Sequence, residues 1–252
     1  MGRPILAALL ALSLVLAGCN AIAFGGDETP TPRFTPAPVP TDKPTPTPVP
    51  QLTPGLTGEG VTDAFALAEA HSAVLDNISY TLHENSTVRY VNGTVFNQFT
   101  THAQIAANDS RFFFIQNGLG INVRGSGKFS MWSNGERFLI ARTSNNSTSY
   151  AVHDIESEPI LPRDAFGFDP TSRERIQALF SSVETRVTGQ ETRNGTTLSR
   201  IVATNVTNPA AFRVVWYNPR NLTLVALVDS QGLVHEYRLN YTATLDNSTV
   251  RV

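Results

Sequence analysis

The sequence predicts an α+β fold, mainly antiparallel β, in which a strongly curved meander sheet forms an incomplete barrel covered by about two helices. Apolar and polar residues alternate with period two over long stretches, Asn-Gly pairs recur between such stretches, and two segments have helical periodicity. These features place one β domain at residues 58–252 of the 252-residue chain. The chain has a single cysteine, so no disulfide can form within one molecule. A domain of that length can bury a stable core without disulfides.

The first helix is predicted where apolar residues recur at near-helical spacing from Val61 to Leu75. Thr62 is its predicted cap, and Asp63 complements the positive end of the helix dipole in the first turn. His71 lies on the semi-apolar side, which favours a packed, hydrogen-bonded histidine over a ligand or a catalytic group.

A second helix is predicted after Pro170 and interrupts the strands midway. Thr171 and Glu174 have the spacing of a capping box, in which each side chain satisfies a free backbone amide. Apolar residues follow at helical spacing: Ile176, Leu179 and Phe180.

The remaining segments predict strands joined by tight turns. Residues from Tyr80 to Tyr90 alternate as one long strand, and Asn92-Gly93 supplies the positive φ angles of a two-residue hairpin turn. Further turns are predicted at Asn117-Gly118, Asn134-Gly135, Asn194-Gly195, Asn218-Pro219 and Gln231-Gly232. The residues from Asn247 to Val252 begin another strand, which we expect to be an exposed or truncated sheet edge.

The N-terminus has the features of a lipoprotein signal at residues 1–18. Arg3 precedes an apolar run from Ile5 to Ala17, which is shorter than a bilayer span and ends in Leu16-Ala17-Gly18-Cys19. Cys19 is the predicted lipidation site and would anchor the mature protein to the outer face of the cell membrane. The alternative is an ordinary signal peptide with a chance cysteine.

Residues 19–57 are predicted to be the lipidated N-terminus and an extended stalk. Ten of the sixteen prolines of the chain lie between Thr29 and Pro54, largely in Thr-Pro repeats, and few apolar residues separate them. Such a segment cannot form a core and adopts an extended, polyproline-like conformation. Its threonines could carry O-glycans, and a proline-rich ligand for a partner domain is the alternative.

Eleven of the eighteen asparagines begin an Asn-x-Ser/Thr sequon. This excess predicts N-glycosylation, although asparagine and threonine are also common in exposed turns and on strand faces. Sequon excess, arginine in preference to lysine and a lipobox together indicate an archaeal surface protein. The predicted sites are Asn77, Asn85, Asn92, Asn108, Asn145, Asn146, Asn194, Asn205, Asn221, Asn240 and Asn247.

No pattern in the sequence predicts a cofactor, a metal site or an enzyme. The five histidines are dispersed, and neighbouring pairs such as His153-Asp154 and His235-Glu236 place their side chains on opposite strand faces. Arginines are scattered singly and the net charge of −2 is nearly neutral, which argues against a nucleic-acid partner.

The order of the segments resembles archaeal surface lipoproteins with a domain similar to the LolA and LppX/LprG lipoprotein carriers. The hairpins Trp132-Ser133-Asn134-Gly135-Glu136-Arg137-Phe138 and Val228-Asp229-Ser230-Gln231-Gly232 carry this resemblance. It implies a curved, incomplete barrel whose concave apolar face is covered by helices and accommodates acyl chains.

Two functions remain open at this point. The first is a membrane-anchored protein that binds or carries a lipid or another hydrophobic ligand. The second is a structural or protein-interaction module of the envelope with a filled core, because pattern alone does not distinguish a packed core from a lined cavity. The predicted ligand-binding residues are Tyr80, Leu82, Phe99, Phe138, Ile140, Trp216 and Tyr237.

Overall fold

The computed structural model describes residues 50–107, 111–119, 127–154, 169–212 and 217–252. These residues form two helices, α1 (Ala64–Leu75) and α2 (Arg173–Ser182), and thirteen strands. The strands are β1 (Gln51–Thr53), β2 (Leu56–Thr57), β3 (Tyr80–Tyr90), β4 (Val95–Ile105), β5 (Phe112–Leu119), β6 (Gly127–Ser133), β7 (Arg137–Ser144), β8 (Ser147–Asp154), β9 (Arg186–Arg193), β10 (Thr196–Ala203), β11 (Tyr217–Asp229), β12 (Val234–Leu245) and β13 (Ser248–Arg251).

Eleven strands form one antiparallel sheet in the order β8-β7-β6-β5-β4-β3-β13-β12-β11-β10-β9. The sheet consists of two meanders, β3–β8 and β9–β13, that are joined because β13 pairs with β3. Its outer strands β8 and β9 do not pair with each other, so the barrel is incomplete. The predicted fold class is confirmed.

The position of β13 corrects one prediction. The last strand was expected to be a sheet edge, but β13 lies in the middle, between β12 and β3. Val250 in β13 is fully buried because both its neighbours and the core cover it. A strand pairing between distant parts of the chain is invisible to local sequence patterns.

Three predicted turns are confirmed in their position. Asn194-Gly195 forms a two-residue turn with positive φ at both residues, Gly135 has a φ of 95° between β6 and β7, and Gly232 has a φ of 94° between β11 and β12. The turn at Asn92-Gly93 also joins two strands, but it is a four-residue loop in which only Gly93 has a positive φ. The prediction of a two-residue turn there was wrong.

Two other predicted turns are interior strand positions. Asn117-Gly118 lies within β5, where Gly118 is needed because an added Cβ would lie 2.2 Å from the Gln98 carbonyl oxygen of β4. Asn218-Pro219 lies within β11, at an irregularity of the β11–β12 register where Asn218 has a φ of 54°. A turn-forming residue pair thus marks a close approach or a bulge at these places.

Both helices form where predicted, but their caps differ. Asp63, not Thr62, caps α1, because its side chain accepts a hydrogen bond from the Ala66 amide at 3.0 Å. The N-cap of α2 is Ser172, which has a φ of 55° and makes no side-chain capping bond. The predicted capping box is absent because the Thr171 hydroxyl donates to Asp169 instead.

The packed part of the chain includes Gln51–Thr57, a segment that was predicted to belong to the stalk. β1 pairs with β2, and Leu56 is fully buried in the larger hydrophobic cluster. Gly55 between them has a φ of 74°, and an added Cβ would lie 2.1 Å from the Asp63 carbonyl oxygen. Close contact with the start of α1 therefore requires glycine at this position.

Most of the buried apolar residues form two separate clusters. The larger one lies between the two helices and strands β10–β13, and it includes Leu67, Ile176 and Leu224. The smaller one lies on β4–β7 and contains Ala103, Ile105, Phe112, Phe114, Met131, Phe138 and Ile140. The space between the clusters is where the candidate site lies.

Candidate ligand-binding cavity

A slit divides the sheet between β3 and β12. Strand β13 pairs with β3 only at Tyr90 and Arg89, and with β12 only over Thr242–Leu245, apart from backbone bonds between Tyr241 and Val252. Residues 80–87 of β3 and 234–240 of β12 therefore each pair with a strand on one side alone. The strands separate from the point where β13 joins them.

A cavity of about 1640 Å³ occupies this space. It is bordered by β3, β12 and the inner faces of β4–β6, and the helices supply residues such as Ile176 and Leu179. Exposed residues from the outer side of the slit, His83 and Arg238 among them, also border it, so the cavity opens towards solvent through the slit. Drug-sized ligands occupy pockets of roughly 300–1,000 Å³, so this cavity has room for a larger molecule.

The inner face of the first meander has apolar and polar rows. Cross-strand pairing aligns one apolar row of Leu82, Ala103, Phe114, Met131 and Ile140. The next row is mixed and consists of Glu84, Thr101, Gln116, Phe129 and Arg142. Strand residues two apart share a face, so β3 presents both rows to the same space.

Arg175 of α2 reaches both sides of the slit. It forms an ion pair with Glu84 of β3 and a side-chain hydrogen bond with Tyr237 of β12. Burial by itself lowers the pKa of Arg175, but the Glu84 charge and the Tyr237 contact outweigh burial and raise that pKa above its usual value. The guanidinium stays charged and ties α2 to both halves of the sheet.

His71 of α1 borders the cavity and is held by two other elements. Its Nδ1 accepts a hydrogen bond from the Val234 amide of β12 at 3.1 Å, and its ring also bonds to the backbone of Thr171 before α2. Burial lowers the pKa of His71, so the ring is neutral near pH 7. The predicted packed, hydrogen-bonded histidine is confirmed.

The neighbouring pairs His153-Asp154 and His235-Glu236 have partners from other positions of the sheet. Asp154 pairs with Arg137 while His153 stacks on Phe138, with ring centroids 4.7 Å apart. His235 instead contacts Asp229, with Nε2 2.9 Å from Oδ2.

Within the described ranges, no group of three or more metal-binding side chains is placed to hold an ion. Neither helix in the described part of the chain has the length and hydropathy of a membrane span.

The structure places four of the predicted ligand-binding residues, Tyr80, Leu82, Phe99 and Tyr237, on the cavity wall. Phe138 and Ile140 do not border it and are buried in the part of the smaller cluster that lies on β7. Trp216 lies outside the described residues. Sequence reasoning missed Arg175, Glu84 and Asn97, since only the pairing of β13 places β3 and β12 on opposite sides of one space.

The predicted modification sites are compatible with the fold where it is described. Ten of the eleven sequon asparagines are exposed, and Asn85 and Asn240 lie on opposite sides of the slit. Asn108 and the predicted lipidation site Cys19 lie outside the described residues. Exposure leaves space for a glycan at the ten asparagines.

Three solved structures are similar to the chain at low identity. LprF from Mycobacterium bovis has a TM-score of 0.33 and 9% identity, with coverage of 75% of this chain and 89% of that one. Lipoprotein LppX from Mycobacterium tuberculosis has a TM-score of 0.31 and 13% identity, with coverage of 75% and 91%. A LolA superfamily protein from Nitrosomonas europaea has a TM-score of 0.26 and 7% identity, with coverage of 75% and 89%.

Sequence comparison gives a broader match. No curated protein matches the chain. One family model matches residues 4–251, almost the whole sequence. The chain therefore belongs to the family of unknown function DUF7537.

Proposed function

We propose that the protein binds or carries a lipid or another hydrophobic ligand in the cavity between β3 and β12. The observation that carries this proposal is the size of the cavity together with the apolar residues on its wall. An apolar wall exposed to water is unfavourable by about 25 cal/mol per Å² of surface, and an apolar ligand removes that cost. The wall includes Leu82, Phe114, Met131 and Leu239.

The same proposal places the domain on the outer face of the cell membrane as an N-glycosylated lipoprotein of an archaeon. Support comes from the lipobox at Leu16-Ala17-Gly18-Cys19, the proline-rich segment after it and the exposure of the described sequons. Anchoring through acyl groups on Cys19 and a stalk would hold the cavity at a distance from the bilayer in which its ligand resides.

Native mass spectrometry of the full chain, followed by solvent extraction of bound lipid, tests the proposal. We expect a stoichiometric lipid adduct, which Leu82→Arg abolishes because it places a charge on the apolar row of the cavity. Val152→Arg is the matched control, since Val152 is 66% exposed on β8 and lies away from the cavity. The same spectra report acylation of Cys19 and glycan masses.

A folded protein that is empty in every preparation would contradict the carrier function. Adduct loss in both arginine variants would also contradict binding in this cavity. Circular dichroism of each variant establishes that the fold is intact before the comparison is made.

A second function, an interaction module of the envelope, is favoured by one surface. Trp132, Tyr150 and Val152 are 44%, 70% and 66% exposed on the outer side of β6 and β8. Trp132 and Val152 both pair with Leu139 of β7, so they form one apolar row. In a monomeric protein, exposed apolar surface of this kind often marks a contact with another molecule. Two results together would favour this function. The protein would contain no lipid in any preparation, and it would bind a partner protein that the Trp132→Ser variant no longer binds.

A further inference from the structure

The two outer strands of the sheet differ in how they are protected from pairing with another strand. Three of the eight residues of β9 are charged, Arg186, Glu191 and Arg193, and its register with β10 is irregular at Gly189. Charges and bulges of this kind prevent edge-to-edge pairing. Strand β8 has neither protection, since its only acidic or strongly basic residue is the last one, Asp154, and its eight pairs with β7 show no register shift. The β8 edge is therefore the one at which another strand can add.

Strand β8 is also accessible. All residues 147–152 are exposed, including the large side chains of Tyr150 and Val152. In the part of the chain that the structure describes, β8 pairs with no strand other than β7. Its outer face and its second edge are thus open to another molecule.

The turn before β8 shows which backbone groups point to this open edge. Asn145 and Asn146 have φ angles of 50° and 63°, as in a type I′ turn. The hydrogen bond of such a turn joins its first and fourth residues, so the backbone of Ser147 points to Ser144 on β7. Backbone direction alternates along a strand, so the residues whose backbone groups point to the open edge include Thr148, Tyr150 and Val152.

The open edge is complementary to itself. A two-fold axis through Ala151 places Tyr150 of one copy opposite Val152 of the other, and Val152 opposite Tyr150. Each of these two pairs exchanges two backbone hydrogen bonds, because the groups involved point to the open edge. Thr148 lies opposite Asp154 in this register, so the two carboxylates stay about 20 Å apart at about 3.4 Å per residue. No like charges face each other along the paired strands.

This register also joins the apolar surfaces of the two copies. Trp132, Leu139 and Val152 form one row across β6, β7 and β8, and Tyr150 of the second copy continues it. An aromatic residue opposite a β-branched one is a favourable cross-strand pair. The contact removes from water apolar side chains that are exposed in the single chain.

We propose that two copies of this chain associate through β8 and form a dimer in which their sheets are continuous. This dimer does not depend on the proposed function, because β8 does not border the cavity. The predicted glycosylation sites Asn145 and Asn146 lie in the turn, outside the paired positions. Because a single strand pair is a small interface, we expect a weak dimer with a dissociation constant in the micromolar range.

Cysteine cross-linking tests the register. In Ala151→Cys the two new thiols lie on the two-fold axis at a pair without backbone hydrogen bonds, where Cα atoms are about 4.5 Å apart and a disulfide can form. We expect a disulfide-linked dimer under mild oxidation. Ser149→Cys is the matched control, because it is exposed on the same face of β8 but its two thiols are about 14 Å apart. It should cross-link no more than the unmodified protein, whose one cysteine is Cys19.

Sedimentation velocity of the full chain over a range of concentrations tests the backbone contact. Val152→Pro removes an amide that points to the open edge, a position at which proline is tolerated, and we expect the dissociation constant to rise by about tenfold or more. Val91→Pro is the matched control, because Val91 is exposed and is the second residue of the turn closed by the bond from the Gly93 amide to the Tyr90 carbonyl. Proline is favoured there, so the dissociation constant should not change. Circular dichroism establishes that both variants are folded.

Three results would overturn the inference. A protein that stays monomeric at all concentrations would refute the dimer and leave the outer surface to a different partner protein. Equal cross-linking of Ala151→Cys and Ser149→Cys would refute the two-fold register. A dimer that Val152→Pro does not weaken would place the contact elsewhere in the chain. None of these results changes the lipid adduct, which tests the proposed function by itself.

Discussion

Side chains on the cavity wall owe their positions to strand alternation. Leu82 and Glu84 lie two residues apart on β3 and face the same space, although one is apolar and the other charged. The charge is tolerated because Arg175 pairs with it. Strand alternation therefore predicted the direction of both side chains. The partner of Glu84 could not be predicted in this way, because Arg175 lies about ninety residues away on α2.

His71 links three elements, and its protonation should affect stability. Burial lowers its pKa in the folded protein, whereas the unfolded chain has a pKa near 6.5. Below about pH 6.5 the unfolded state binds a proton that the folded state resists, so the free energy of unfolding should decrease as the pH falls. Above that pH this contribution is constant.

Urea unfolding at pH 7.5 and 5.5 measures this effect. His71→Gln should have a smaller loss of stability between the two pH values than the unmodified protein, because glutamine does not titrate. His83→Gln, an exposed control on β3, should retain the full loss. An equal loss in all three proteins would show that His71 does not set the pH dependence.

At the scale of elements, the short strand β13 connects the two halves of the sheet. Four residues join two meanders of six and five strands into one sheet, and they also define where the slit begins. The sequence predicted this strand but assigned it to an edge. Local pattern identifies a strand, but its neighbours depend on contacts that the pattern does not encode.

Truncation of Val250 tests the central position of β13. Val250 is fully buried, so Val250→Ala should lower the free energy of unfolding by about 2 kcal/mol through lost burial and a residual cavity. Val152→Ala on the exposed strand β8 should change it by less than about 0.5 kcal/mol. Chemical denaturation of both variants gives the comparison, and similar small effects would place β13 at an edge.

Considered as a whole, the described sheet is continuous at one end and divided at the other. Along the slit, β3 and β12 have a hydrogen-bonded neighbour strand on one side only. The slit side of these strands lacks the strand partner that protects amides on both sides of β4.

Hydrogen exchange followed by mass spectrometry should detect this division. Peptides covering residues 80–87 and 234–240 should exchange faster than peptides from β4, because amides without a neighbouring strand are less protected from exchange. Saturation with oleyl alcohol should slow exchange in both segments and leave β8 unchanged. Equal protection of β3, β4 and β12 in the ligand-free protein would contradict an open slit.

The sequence by itself determined the class of fold, the two helices, most of the long strands and several hairpin turns. These features depend on periodicity and turn chemistry, which act between residues close in the chain. It also indicated Leu82, Tyr80, Phe99 and Tyr237 as inward-facing residues, because each lies on the apolar side of its strand.

Only the tertiary structure decided which of those residues line a cavity and which fill a core. Phe138 and Leu82 have the same pattern in sequence, but Phe138 is enclosed by the smaller cluster and Leu82 faces the space between β3 and β12. That space exists because β13 joins strands from opposite ends of the domain over only a few residues. Long-range pairing of this kind is fixed by the packing of the whole chain, and so only the fold shows that Asn97 borders the cavity.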